Sequence, residues 1–93
     1  MGFIKRLIMR VNGRKAMKIT DIINKNTYES VCYYYLNKEI DLDKCIIEIG
    51  KPLKIVYLDG SHFTHEDVCS VRDVDDEIIT IHTTKKVWTL SRL

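Results

Sequence analysis

The side chains best suited to metal chemistry lie close together in the second half of the chain. His62, His65 and Cys69 follow an H-x2-H-x3-C spacing. Imidazole nitrogens and thiolates are zinc ligands, and Cys45 or His82 could complete a set of four. Structural zinc sites usually bring paired ligands from two sides, whereas this chain offers a single close group. We therefore expect no metal cofactor, with both nearby histidines at the surface and Cys69 buried.

The same stretch could hold a thiol nucleophile. Thr64 and Asp67 have the spacing that caps a single helical turn, and such a turn would bring Cys69 near His65, four residues before it. Nucleophilic catalysis also needs a third group that orients the base and donors that stabilise an oxyanion. The sequence identifies neither, so we assign no catalytic residue.

A second constellation would serve acid and base catalysis on a phosphodiester. Residues 62–64 and 82–84 both fit H-x-T, the doubled motif of two-histidine phosphoesterases, in which paired imidazoles act as general acid and base. Those enzymes are far longer and place their motifs much further apart, whereas 20 residues separate His62 from His82 here. A two-histidine phosphodiesterase is therefore the least favoured function.

Charge is divided unevenly along the chain. Residues 1–18 contain six of the 15 basic residues and no acidic residue. Residues 19–93 contain the other nine basic residues and all 13 Asp and Glu, so the net charge of this part is −4. A basic segment of this kind is attracted to nucleic acid, to a lipid surface or to an acidic face of another copy. The inference requires translation to begin at Met1 rather than Met17. The six basic residues are Lys5, Arg6, Arg10, Arg14, Lys15 and Lys18.

Nucleic-acid binding needs phosphate contacts and, for single strands, flat aromatic faces on which bases stack. The six basic side chains supply the first. Tyr33, Tyr34 or Trp88 could supply the second, whichever of them is exposed. Alternatively, the cations only solvate one helix face and Trp88, in the alternating segment Val87–Ser91, belongs to the core. The candidate binding residues are the six cations together with Tyr33 and Tyr34.

An acidic stretch offers the opposite electrostatic character. Residues 59–77 contain seven carboxylates and one basic residue, Arg72. Such a surface could imitate the charge pattern of nucleic acid or dock a basic protein. A small non-catalytic inhibitor would work in this way.

The elements that would position these groups begin with a predicted helix. Residues 3–11 place apolar side chains at helical spacing, and Asn12-Gly13 would end the helix. The same dipeptide could instead turn a hairpin into a strand over Arg14–Thr20. An apolar stripe flanked by cations is also typical of a membrane-surface helix. More often such a stripe packs on the domain's own sheet or on the same helix of a second copy, and the last arrangement would make the protein self-associate.

A second helix is predicted over residues 27–38. Asn26 and Glu29 have the spacing of a capping box, and apolar residues follow at helical intervals from Tyr28 to Leu36. The run of tyrosines at 33–35 would suit a strand equally well. We favour the helix because the periodicity extends over the whole segment.

From Cys45 onward the sequence predicts strands. Ile, Val, Thr, Tyr, Phe and Trp total 35 residues in the whole chain, whereas alanine occurs once. Asp59-Gly60 is the strongest hairpin signal. Short segments separated by turns indicate an antiparallel meander that forms an open sheet or a small barrel. The predicted strands are 45–49, 53–58, 61–64, 68–74, 77–82 and 87–91.

These observations predict a single α+β domain over residues 1–93, with one or two N-terminal helices packed on an antiparallel sheet or small barrel of five to six short strands. The odd number of cysteines and the absence of a long apolar run favour the cytoplasm. The favoured function is a small non-enzymatic binding protein that occupies a partner surface and self-associates as a homo-oligomer. The alternatives are nucleic-acid binding through the basic segment and sequestration of a small anionic ligand or nucleotide.

Overall fold

The computed structural model describes residues 16–74 and 77–93, which form one antiparallel sheet. Its strands are β1 (Ala16–Asn24), β2 (Glu39–Asp41), β3 (Pro52–Val56), β4 (His62–Val74), β5 (Ile78–Thr83) and β6 (Lys86–Arg92). The spatial order is β2-β1-β6-β5-β4-β3, so β2 and β3 lie at the two ends of the sheet. These ends meet through a bridge between Ile40 and Tyr57. The sheet therefore curls into a nearly closed barrel.

The expectation of N-terminal helices packed on a sheet is wrong for the part of the chain that the structure describes. There, the helical elements are two three-residue 3-10 helices, Tyr33–Tyr35 and Leu42–Lys44. The helix predicted over residues 3–11 lies outside the described residues. The alternative strand over Arg14–Thr20 is closer to what is found, because β1 begins at Ala16.

The helix predicted over residues 27–38 is absent because the backbone there is repeatedly left-handed. Tyr28 and Cys32 have φ values of 60° and 56°, which a right-handed helix cannot contain. A tight turn precedes them, in which the Asn24 side chain accepts hydrogen bonds from the backbone N–H groups of Asn26 and Thr27. The apolar periodicity still identified side chains that pack against the core, namely Val31, Cys32, Tyr35 and Leu36.

Alternating apolar residues on the strands fill the barrel. On β1, Met17 and Ile19 are buried, and a bulge at Thr20 shifts the pattern by one residue so that Ile22 is the next to point inward. The inward side chains of β5 and β6 complete this layer. They are Ile79, Ile81, Thr83, Trp88 and Leu90.

Two bulges change the face of the sheet toward which side chains of β4 point. Between the pairs Thr64–Lys54 and Asp67–Pro52, both His65 and Glu66 stand opposite a single residue of β3. A β-bulge of this kind turns consecutive side chains toward the same face. Because this segment is extended, the helical turn expected from Thr64 and Asp67 does not form.

The second bulge lies at Cys69, between the pairs Val68–Thr83 and Ser70–His82. Cys69 is the extra residue of this bulge and is exposed, so the expectation of a buried cysteine there is wrong. The strand predicted over residues 45–49 is reduced to two isolated bridges, Ile46–Lys54 and Ile49–Val68, which follow the second 3-10 helix.

Candidate functional site: the seam of the barrel

The closure between β2 and β3, here called the seam, is the weakest part of the barrel wall. Beyond the Ile40–Tyr57 bridge, it is held by a long hydrogen bond of 3.4 Å from Leu58 N–H to the Glu39 carbonyl. An open cavity of about 430 Å³ lies beside it. We call this the seam cavity; its lining residues are Asn37, Lys38, Glu39, Tyr57, Leu58, Asp59 and Ser61.

One wall of the seam cavity is the Asp59-Gly60 turn, which the sequence predicted correctly as the hairpin between β3 and β4. Gly60 adopts a φ of 92°, which glycine tolerates without strain. Asp59 Oδ1 accepts hydrogen bonds from the Ser61 backbone N–H at 2.8 Å and the Ser61 hydroxyl at 2.5 Å. These bonds lower the pKa of Asp59, with a smaller contribution from Lys38. The carboxylate is therefore ionised and fixed in direction.

The opposite wall carries a lysine and a second carboxylate. Lys38 Nζ lies 5.4 Å from the centroid of the Tyr57 ring, within the range of a cation–π contact. Glu39 follows on β2 and is exposed. The cavity lining thus contains two carboxylates, Glu39 and Asp59, and one ammonium group.

Tyr57 lines this cavity and interacts electrostatically with Tyr34 and Tyr35; we call these three residues the tyrosine cluster. Tyr34 is 69% exposed and its ring contacts that of Tyr35, with the centroids 4.4 Å apart. The Tyr35 ring stacks on Phe63, and Phe63 in turn stacks on the buried Trp88 at 6.0 Å. The exposed Tyr34 therefore stands at the end of a column of rings that begins in the core.

Tyr57 joins the tyrosine cluster to the cavity. Its hydroxyl oxygen is buried and has no hydrogen-bond partner among the described groups. Burial raises the pKa of Tyr57 well above its ordinary value, and the neighbouring Tyr35, Asp59 and Tyr34 raise it further. Tyr57 is thus a neutral phenol beside the cavity.

A separate polar group lies around the first bulge of β4. Glu66 accepts hydrogen bonds from the Thr83 hydroxyl at 2.7 Å and from Lys86 Nζ at 2.9 Å. Burial alone would raise the pKa of Glu66, but these hydrogen bonds outweigh it and lower the pKa to about 2. These bonds satisfy the Glu66 carboxylate that the bulge turns inward, and we assign it a structural role. His65, expected at the surface, is instead largely buried, and its Nε2 has no hydrogen-bond partner among the described residues.

Three of the eight predicted binding residues lie in the described part of the chain. Five of the six basic residues, Lys5, Arg6, Arg10, Arg14 and Lys15, lie outside the described residues. Lys18 lies on β1 directly opposite Glu39 of β2. Tyr34 belongs to the tyrosine cluster, whereas Tyr33 lies in the same 3-10 helix.

The histidines and Cys69 do not share a site. His62 pairs with Val56 of β3, whereas His82 pairs with Ser70 eight residues further along β4, which places the two histidines roughly 25 Å apart along the strand. Among residues 16–74 and 77–93, no group of three or more His, Cys, Asp or Glu side chains is arranged to hold a metal ion.

Sequence reasoning missed Lys38, Glu39 and Tyr57 as site residues. The first two fell within or next to the predicted second helix, and Tyr57 was assigned only to a strand. The available signal was the Asp59-Gly60 turn, which indicates a carboxylate at a fixed surface position next to an aromatic strand end.

No protein-family model, curated protein or solved structure matches this chain. Within the described part of the chain, no helix is long and apolar enough to cross a membrane.

Proposed function

We propose that the protein is a non-enzymatic binding protein that occupies a partner surface through the seam. One observation carries this proposal: Tyr34 is 69% exposed, yet its ring rests on a stacked column that continues into the core. A tyrosine held in this way contributes contact area to an interface and loses little conformational freedom on binding. Tyrosines are enriched among the residues that dominate binding energy.

The cavity lined by Tyr57 of the tyrosine cluster supports the same conclusion. Leu58 is 52% exposed and lines the adjoining seam cavity. An apolar side chain, an aromatic ring and an open cavity at one place offer a partner both a contact surface and a recess for one of its side chains. The bound partner would cover the two exposed side chains.

The test is a comparison of Tyr34→Ala with Tyr28→Ala. Both tyrosines are largely exposed, at 69% and 81%, but Tyr28 lies in the turn after β1, so it is a matched control for loss of an exposed ring. Wild type and Tyr28→Ala should capture the same partner from a cell extract in quantitative mass spectrometry. Tyr34→Ala should weaken that binding roughly 30-fold, the effect of a central interface tyrosine worth about 2 kcal/mol. Equal capture by both variants would contradict the proposal.

A second copy of the chain is included among the partners by this proposal. Light scattering of the purified protein measures self-association directly. If the seam binds a second copy, the mass should fall to that of a monomer in Tyr34→Ala and remain unchanged in Tyr28→Ala.

Nucleic-acid binding is the second candidate, favoured by the six basic residues of positions 1–18 together with the exposed Tyr34. Anisotropy of a labelled single-stranded oligonucleotide should then show an affinity that falls steeply with salt, because phosphate contacts release counterions. Tyr34→Ala should lower the affinity by removing a stacking face. Affinity that does not depend on ionic strength would exclude this function.

A further inference from the structure

The charges of the seam cavity distinguish between the kinds of partner group it can accept. Glu39 and Asp59 line it together with one ammonium group, that of Lys38. An anionic ligand would face both carboxylates, whereas a cationic group would be attracted by them. Asp59 is oriented in advance because both of its hydrogen bonds from Ser61 use Oδ1.

The apolar part of the cavity adds a second requirement. The Tyr57 ring and the exposed Leu58 line the same space as the carboxylates. A long side chain with an apolar stem and a charged end matches both features, because its stem covers apolar surface while its head reaches polar groups. Lysine and arginine are the side chains with this construction.

Lys38 shows that a cation is already stabilised at this position. Its ammonium group lies 5.4 Å from the Tyr57 ring centroid and is close enough to Asp59 to lower the pKa of that carboxyl. The chain thus places its own cation against the aromatic face that a partner's cation would use. An incoming cation must displace Lys38 or share the ring and carboxylate with it.

We infer that the seam cavity binds an arginine side chain presented by a protein partner, in competition with Lys38. This inference rests on the proposed function and names the chemistry of the partner. Arginine is favoured over lysine because its planar guanidinium stacks on an aromatic face and holds its N–H donors in fixed directions, so that one can bond to Asp59 Oδ2 while Oδ1 keeps both bonds from Ser61. The guanidinium would stack on Tyr57 and bond to Asp59, with Glu39 adding attraction from the opposite wall.

The test uses the full chain and a capped pentapeptide, Gly-Ser-Arg-Ser-Gly, with its arginine replaced by citrulline as the control. Citrulline keeps the planar shape and removes the charge. Amide chemical shifts should move at residues 37–39 and 57–61 when the arginine peptide is added. The citrulline peptide should bind at least about threefold more weakly, because the charged contribution is lost.

Three substitutions measure how individual charged side chains affect binding of the arginine peptide. Asp59→Asn preserves a turn that Asn-Gly also favours and should weaken the arginine peptide about three- to tenfold. Lys38→Met keeps a linear side chain, removes the competing charge and should tighten the peptide about threefold. Glu29→Gln, an exposed acid in the turn after β1, is the control and should leave the affinity unchanged.

The effect of Lys38→Met separates the inference from its alternatives. If Lys38→Met weakens binding, and inorganic phosphate or adenosine monophosphate shifts the same amides, the cavity binds an anion and the inference is wrong. Absence of shifts at the seam, or equal affinity for the arginine and citrulline peptides, also overturns it. If Tyr34→Ala abolishes partner capture while Asp59→Asn and Lys38→Met have no effect, the seam is an interface but its occupant is not a cation.

Discussion

The ring of Tyr35 lies 4.2 Å from the ring of Phe63, and the two planes are 13° from parallel. This stack joins the 3-10 helix at residues 33–35 to β4, two elements that share no ladder of backbone hydrogen bonds. It also supports Tyr34, whose ring leans against Tyr35. The position of the exposed aromatic side chain at the seam therefore depends on a contact between half-buried rings.

A double-mutant cycle should measure this stack. Tyr35→Leu and Phe63→Leu each remove one ring and retain a large apolar side chain. We expect a coupling of about 0.5–1.5 kcal/mol between them in urea unfolding, the range for aromatic pairs in proteins. Strictly additive losses would show that the two rings only fill space. Tyr35→Leu should also weaken partner binding at the seam, because Tyr34 loses its support.

Replacing Tyr28 with glycine should stabilise the protein. Tyr28 has a φ of 60° and is 81% exposed, so the side chain gains little from packing while its backbone is held in a region that costs about 1–2 kcal/mol for residues other than glycine. Because glycine also makes the unfolded chain more flexible, we expect a net gain of about 0.5–1 kcal/mol in urea unfolding. Tyr28→Ala retains the backbone strain and should give no gain. A loss of stability in Tyr28→Gly would show that the ring makes contacts that its exposure does not reveal.

Strands β3, β5 and β6 were predictable because local signals determine them, whereas the segments predicted separately over 61–64 and 68–74 form one strand, β4. The alternating residues of β5 and β6 and the Asp59-Gly60 turn require little information from the rest of the molecule. The same is not true of residues 27–38. Their apolar spacing is helical, but their conformation is set by the turn at Asn24 and by left-handed residues such as Cys32, whose sequence carries no glycine signal.

The seam site could be predicted only in part, because it depends on closure of the barrel. Asp59 was identifiable as a turn residue, and Tyr34 as a candidate stacking residue. Their proximity to Lys38 and Glu39 arises when β2 meets the end of β3, a long-range pairing that no local pattern encodes. Bulges add a further source of error: one extra residue at Cys69 reversed the expected burial of that side chain.

Stability should begin to fall when the pH drops below the ordinary pKa of histidine. Burial lowers the pKa of His65 below its usual 6.5, and Lys86 lowers it further against the opposing effect of Glu66. The unfolded chain then binds a proton more readily than the folded chain, so the free energy of unfolding decreases as pH falls through and below about 6.5. His65→Phe should remove this decrease in urea unfolding measured at successive pH values. An unchanged pH profile in His65→Phe would contradict the assignment.

A second loss of stability should follow at lower pH because of Glu66. Its pKa is lowered from 4.5 to about 2 in the folded protein, so the stabilisation is complete above about 4.5 and is lost as pH falls toward 2. Glu66→Gln should remove this acid-dependent loss and lower stability at neutral pH by about 1–3 kcal/mol, because Lys86 is left partly buried without its carboxylate. Glu29→Gln, at an exposed position, is the control. A wild-type profile that is flat between pH 5 and pH 2 would contradict the prediction.

The three cysteines should differ in reactivity toward a thiol reagent at about pH 8. Cys45 is buried; its sulfur accepts a hydrogen bond from Val56 N–H and donates one to the Asp41 carbonyl, both at 3.3 Å. Burial raises the pKa of this thiol to about 11, so the reactive thiolate is scarce as well as inaccessible. Cys69 is exposed and should react first, the half-buried Cys32 more slowly, and Cys45 only when the protein unfolds.

Cys45→Ala should destabilise the protein by about 1–3 kcal/mol, whereas Cys69→Ser should change stability by less than about 0.5 kcal/mol. Labelling of Cys45 and Cys69 at equal rates in the native protein would show that the thiol of Cys45 is not shielded from solvent.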